Sequence, residues 1–132
     1  DGGWLAEAEI SYAGHHAYER AQLAAQIIRE RLSDTLKLRI DFIGSASIFS
    51  SDDGQRPVLH AQGEFEDIRL RIAAAHHTKA EANRVCREVT ALYTCGPAGG
   101  GGVRTSIRPR LNTLVCFLPR ESIQSSFEFF AE

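Results

Sequence analysis

Methionine is absent from this 132-residue chain, tryptophan occurs once and cysteine three times. With no Met and with Asp1 as its first residue, the sequence reads as one domain, 1–132, taken from the carboxyl-terminal part of a longer protein. Cys86, Cys95 and Cys116 are odd in number and lack CxxC spacing, which excludes a disulfide framework and a zinc ribbon and points to a reducing, cytoplasmic setting. No apolar stretch reaches the roughly 18 residues that span a bilayer, and no signal peptide opens the chain, so no membrane partner is expected. Positive charge is not in excess either. A formal net charge of −2 and a pI near 6.2 give no overall basic field, and nucleic acid is not an expected partner.

The residues present, 43% apolar and 24% charged, suit a single globular domain with a core of its own. Ala8, Ile10 and Tyr12 alternate with Glu7, Glu9 and Ser11, which predicts a strand over Ala6 to Tyr12 with one face buried. Ala17, Ala21, Ala24, Ala25, Ile28 and Leu32 recur at helical spacing and predict a helix from Ala17 to Leu32. Two more alternating runs, Leu36 to Phe42 and Asp67 to Ala74, predict strands two and three. Thr78 and Glu81 form a capping-box pair ahead of a second helix, whose apolar stripe is Ala82, Val85, Cys86, Val89, Leu92 and Tyr93. After a run of glycines, the nearly apolar segment Leu111 to Leu118, closed by Pro119, predicts a buried last strand.

The two halves repeat. His15-His16 and His76-His77 each end a strand and open a helix, and the apolar positions of both helices share that register. A β-α-β repeat of this size predicts the α+β ferredoxin-like split βαβ sandwich (βαββαβ): a four-stranded antiparallel sheet of order 4-1-3-2 with two helices on one face. A parallel α/β subdomain is the plain alternative. It is disfavoured because strands one to three alternate apolar with charged residues, whereas parallel strands are covered on both faces. The predicted topology gathers Ala13 to His16, the long link Gly44 to Phe65, and Cys95 to Gly102 at one end, with His76 and His77 at the other.

Candidate function concentrates at that loop end, where Gly14, His15 and His16 meet Gly96, Gly99, Gly100, Gly101, Gly102 and Arg104, with Asp52, Asp53 and His60 on the long link. The glycines follow a helix, whereas a phosphate-binding loop follows a strand and opens a helix, so a P-loop is disfavoured. Gly96 is expected to cap the second helix in the left-handed conformation, with Pro97 securing the stop. Four consecutive glycines exceed what a cap needs and either admit close backbone approach to a ligand or partner or form a flexible arm. Adjacent histidines seldom converge on one ion, and no carboxylate or cysteine stands at ligand spacing, so neither a metal nor another cofactor is implied. No Ser/His/Asp or Cys/His set can be assembled for nucleophilic catalysis, and Cys95 reads as an ordinary small residue. Glu7, Glu9, Lys37, Arg39, Arg69 and Arg71 should occupy the open sheet face as cross-strand ion pairs, in place of the stacking aromatics of RNA-binding sheets.

The segments WLAEAEISYAG, LRIDFIG, DIRLRIAAA and above all LYTCGPAGGGGVR, followed by FLPRESI, resemble the last part of the acyclic terpene utilisation (AtuA-like) family, over roughly Trp4 to Ile123. The resemblance implies a cytoplasmic protein of citronellol- or geraniol-type catabolism with a larger domain preceding this one, and it brings no catalytic residues. Two functions are then expected. The first is an accessory or interaction domain, without catalysis by this chain alone, that packs on the preceding domain or on its own copy. The second is part of an enzyme or binding site for an acyl-CoA-like or terpenoid acid, a small-molecule ligand held by the glycine-rich loop with Arg104 supplying charge.

Overall fold

The structure, a computed structural model, describes residues 2–45 and 67–130. Its elements run β1 (Trp4–Ala13), α1 (Ala17–Leu32), β2 (Leu38–Ile43), β3 (Asp67–His76), α2 (Lys79–Cys95) and β4 (Gly100–Pro109), followed by one 3-10 turn, Arg120–Ser122. All strand pairs are antiparallel. The sheet order β2-β3-β1-β4 is 4-1-3-2 read from the other edge, as the alternation and the repeat predict. β1 lies centrally, bonded to β3 on one side and β4 on the other. Both helices pack on the apolar face, α1 over β3, β1 and β2, and α2 over β1, β4 and β3.

The core follows from the period-2 and period-3.6 patterns. Ala6, Ala8, Ile10 and Tyr12 of β1 are fully buried against Ala21, Ala24, Ala25 and Ile28 of α1 and Ala82, Val85 and Val89 of α2. Alanine at so many contact positions lets the helices lie close to the sheet, because no long side chain separates the layers. At the start of α2 only half of the capping box forms. Thr78 Oγ1 accepts from the Glu81 amide at 3.4 Å. The Glu81 carboxylate turns to Arg84 at 3.0 Å, and His76 Nδ1 takes the Thr78 amide at 3.1 Å in its place.

Three expectations are corrected. Leu111 to Leu118 forms no strand; the last strand is Gly100–Pro109, and it includes three of the glycines. Apolar character alone does not make a buried strand when nothing covers it, and Leu111, Leu114, Val115 and Phe117 are all at least 90% exposed. Gly96 is extended at φ −103 and ψ −172 rather than left-handed, since its amide simply continues the helical ladder to Leu92 O at 3.1 Å. Tyr93 is half exposed, and its hydroxyl accepts the Val103 amide at 2.9 Å instead of entering the core.

The face away from the helices carries a chain of cross-strand ion pairs. Asp41, only 3% exposed, receives Arg71 Nη1 at 2.8 Å and Arg39 Nε at 3.2 Å. Arg39 Nη2 lies 3.1 Å from Asp41 Oδ1, close enough for ionic attraction but angled off a hydrogen bond. Arg71 also grips Glu7, whose other oxygen meets Arg108 Nη2 at 3.2 Å, so one chain of charge crosses all four strands. Desolvation works against the Arg71 charge, but its hydrogen bonds to Glu7 and Asp41 prevail and raise its pKa.

Removing the cation alone should leave Asp41 buried beside a second carboxylate. Arg71→Leu is therefore expected to cost about 2–3 kcal/mol in urea denaturation. The Arg71→Leu/Asp41→Leu pair should cost less than the single change. A single-variant cost below ~0.5 kcal/mol would mark the chain as an ordinary surface salt bridge.

Candidate functional site

Two of the three segments predicted to meet, Ala13 to His16 and Cys95 to Gly102, are joined by one side chain, while most of the Gly44 to Phe65 link lies outside the described residues. Arg20, one turn into α1, gives its guanidinium to four backbone carbonyls. Nη1 bonds Ala98 O at 2.8 Å, Nη2 bonds Ala13 O and His15 O, and Nε reaches His16 O at 3.3 Å. The β1–α1 turn is thereby tied, through Arg20, to Ala98 and Gly99 in the segment that enters β4. The same guanidinium lies 5.8 Å from the Tyr12 ring centroid. The Tyr12 hydroxyl is buried with no hydrogen-bond partner among the described residues, and burial pushes its pKa up to about 12, against the smaller opposing pull of Arg20.

The histidines flank this knot at the surface. His15 and His16 are exposed, with ring centroids 3.9 Å apart, and His16 Nδ1 stands 3.7 Å from Glu19 Oε1. His16 adopts a left-handed conformation, φ 55, as the residue before α1, and makes no side-chain cap. Among the described residues, no group of three or more His, Cys, Asp and Glu side chains converges to hold a metal ion. Asp52, Asp53 and His60 lie outside the described residues.

The glycines serve distinct geometric needs. Gly100 sits opposite Tyr12, where a Cβ would come within 2.8 Å of Ile10 Cδ1 and 3.1 Å of Tyr12 Cε1. Between the pairs Glu9↔Arg104 and Ser11↔Gly101, two residues of β4 oppose one of β1, and Gly102 takes φ +62. That is a bulge with glycine in the left-handed position. Arg104 pairs with Glu9 in this register, on the sheet face away from the helices, so the structure separates it from Arg20 and the β1–α1 turn.

Arg20 is the residue that sequence reasoning missed, since the helix was read from its apolar stripe alone. A signal was available: a cation in the first turn of a helix opposes the helix dipole and needs other acceptors nearby.

The four-stranded antiparallel sheet with two helices packed on one face makes this an α+β domain of split βαβ type, with the Arg20 knot of backbone carbonyls at its loop end. Residues 1–129 match the model of the acyclic terpene utilisation family protein AtuA, and the chain belongs to that family. No curated protein matches it. Among solved structures it is similar to the de novo designed protein Ferredog-Diesel, with TM-score 0.45 and 14% identity over 80% of this chain and 87% of that one. It is also similar to a hydantoinase/carbamoylase family amidase from Burkholderia ambifaria, with TM-score 0.42 and 16% identity over 85% of this chain and 29% of that one. Likenesses this low carry no argument about function.

Arg20→Ala should free all four carbonyls, lowering stability by about 1–2 kcal/mol and speeding amide exchange at Gly99 to Gly101. Arg20→Lys should rescue little, since one ammonium cannot span the same acceptors. Unchanged exchange in both variants would show that the loop holds itself.

Proposed function

We propose that this chain is a cytoplasmic interaction domain of an AtuA-family protein, which joins protein surfaces and does not itself carry out catalysis. The single observation that carries the reading is the segment after β4. Residues 111–130 stand away from the core with one 3-10 turn as their only regular structure. On them Leu111, Phe117 and Phe129 are 94%, 97% and 88% exposed, and Leu114, Val115, Phe127 and Phe130 are similarly bare. Apolar side chains gathered on one arm, rather than scattered singly, mark a surface meant to be covered by protein. Two features support this against a small-molecule site. The guanidinium nearest the glycines already gives four of its five N–H donors to carbonyls. Arg104 lies on the other face of the sheet.

The preceding domain of the same protein and a second copy of this chain are the partners such an arm fits. Leu114→Asp/Phe127→Asp should leave the circular dichroism spectrum and melting temperature of the chain unchanged, because neither side chain touches the core. The same variant should lose association, read by sedimentation, with itself or with the remainder of the protein. A chain that is monomeric at high concentration and does not bind that remainder would sink the reading.

A further inference from the structure

Resting on that reading, we propose that the arm's occupant is a second copy: residues 111–118 of one molecule add as a fifth strand to the outer edge of β4 in another, in reciprocal exchange. Three observations carry this.

The first is that the arm is directed away from its own sheet. Arg110 continues the β1–β4 ladder, its amide donating to Gly3 O at 2.8 Å and its carbonyl accepting from Gly2 N at 2.9 Å. No turn follows until Arg120–Ser122. A hairpin back onto β4 would need a tight turn directly after Pro109. A chain held straight there reaches another molecule instead.

The second is that β4 is an open edge with free donors. It ends the sheet on one side among the described residues. Amides alternate in direction along an antiparallel strand. The Arg110 amide points to β1, so those of Thr105 and Ile107 point outward, in line with the Val103 amide, which turns to Tyr93. Unpaired edges of this kind recruit strands from other chains.

The third is that β4 is the under-covered side of the sandwich. No residue of β4 is fully buried, whereas β2, at the other edge, buries Ile40, Asp41 and Phe42. Between α2 and β4 an open, mostly apolar groove of about 390 Å³ is lined by Cys86, Arg87, Thr90, Ala91 and Thr105. Residues 111–119 carry no charge and supply apolar side chains at Leu111, Leu114, Val115, Phe117 and Leu118 for it. One exchange supplies partners to the arm, the edge and the groove together. About a two-fold axis it closes, as an isologous dimer must.

The test uses two variants of the chain that disable different halves of the contact. Thr105→Pro removes an outward amide while leaving the bonds to β1, a place where an edge strand tolerates proline. Phe117→Asp charges the arm. Each alone should weaken dimerisation about tenfold or more in sedimentation equilibrium. Mixed together they should form a heterodimer, because the intact arm of the Thr105→Pro chain can still seat on the intact edge of the Phe117→Asp chain. Circular dichroism of each variant confirms that it is folded, and Thr105→Val, which keeps the amide, should dimerise like the parent. A dimer that persists in both variants overturns the exchange and leaves the interaction role standing. So does a monomer whose arm is protected from hydrogen exchange only when the remainder of the AtuA-family protein is added. A monomer that associates with neither overturns both.

Discussion

β1 is bonded along both edges and must bury one face, and the remaining elements are arranged around that demand. Ala6, Ala8, Ile10 and Tyr12 point to the helices and are fully buried. Glu7 and Glu9, between them, point the other way into ion pairs with Arg71, Arg108 and Arg69. A fully buried isoleucine or leucine contributes about 1.5–3 kcal/mol before entropy is counted, so the face with Ile10, Leu70 and Ile72 dominates the free energy of the sheet. The charged face adds register: slipping a strand by one residue would put Asp41 or Glu7 into the apolar layer. One period-2 pattern thus drives folding on one side and alignment on the other.

This explains what the sequence revealed and what it concealed. α1 begins and ends where the Ala17 to Leu32 spacing says, because both its faces are written in the residues. The strand order was legible from the repeat and from charge alternation, which together require a one-sided antiparallel sheet. The last strand was misread because Leu111 to Leu118 has the stronger apolar signal. The true strand shows only a weak alternation of Val103, Thr105 and Ile107 with Arg104, Ser106 and Arg108, hidden behind glycines that suggest a loop. Burial depends on what covers a segment, and composition does not record that. For the candidate site, the meeting of the Ala13 to His16 and Cys95 to Gly102 segments followed from topology. Arg20 did not: a cation set against the dipole of α1 signals only that acceptors are needed, and its acceptors are carbonyls, which every residue carries.

The glycine run changes meaning once β4 is placed. A side chain at residue 100 would force Ile10 Cδ1 and the Tyr12 ring, both in the buried layer, to shift, so glycine lets β4 lie beside Tyr12 undisturbed. Two residues later the strand bulges through a left-handed Gly102, and this shift brings Arg104 opposite Glu9. The most specific stretch of the family resemblance is therefore explained, at these two positions, by how an edge strand is fitted to a central one. A ligand cradle is not needed to account for them. Among the described residues that edge strand leaves the outward amides of Thr105 and Ile107 and the flank of α2 uncovered, and it hands the chain on to an arm with no core of its own. The geometry that seats β4 on β1 thus also creates the surface on which a further strand can be added.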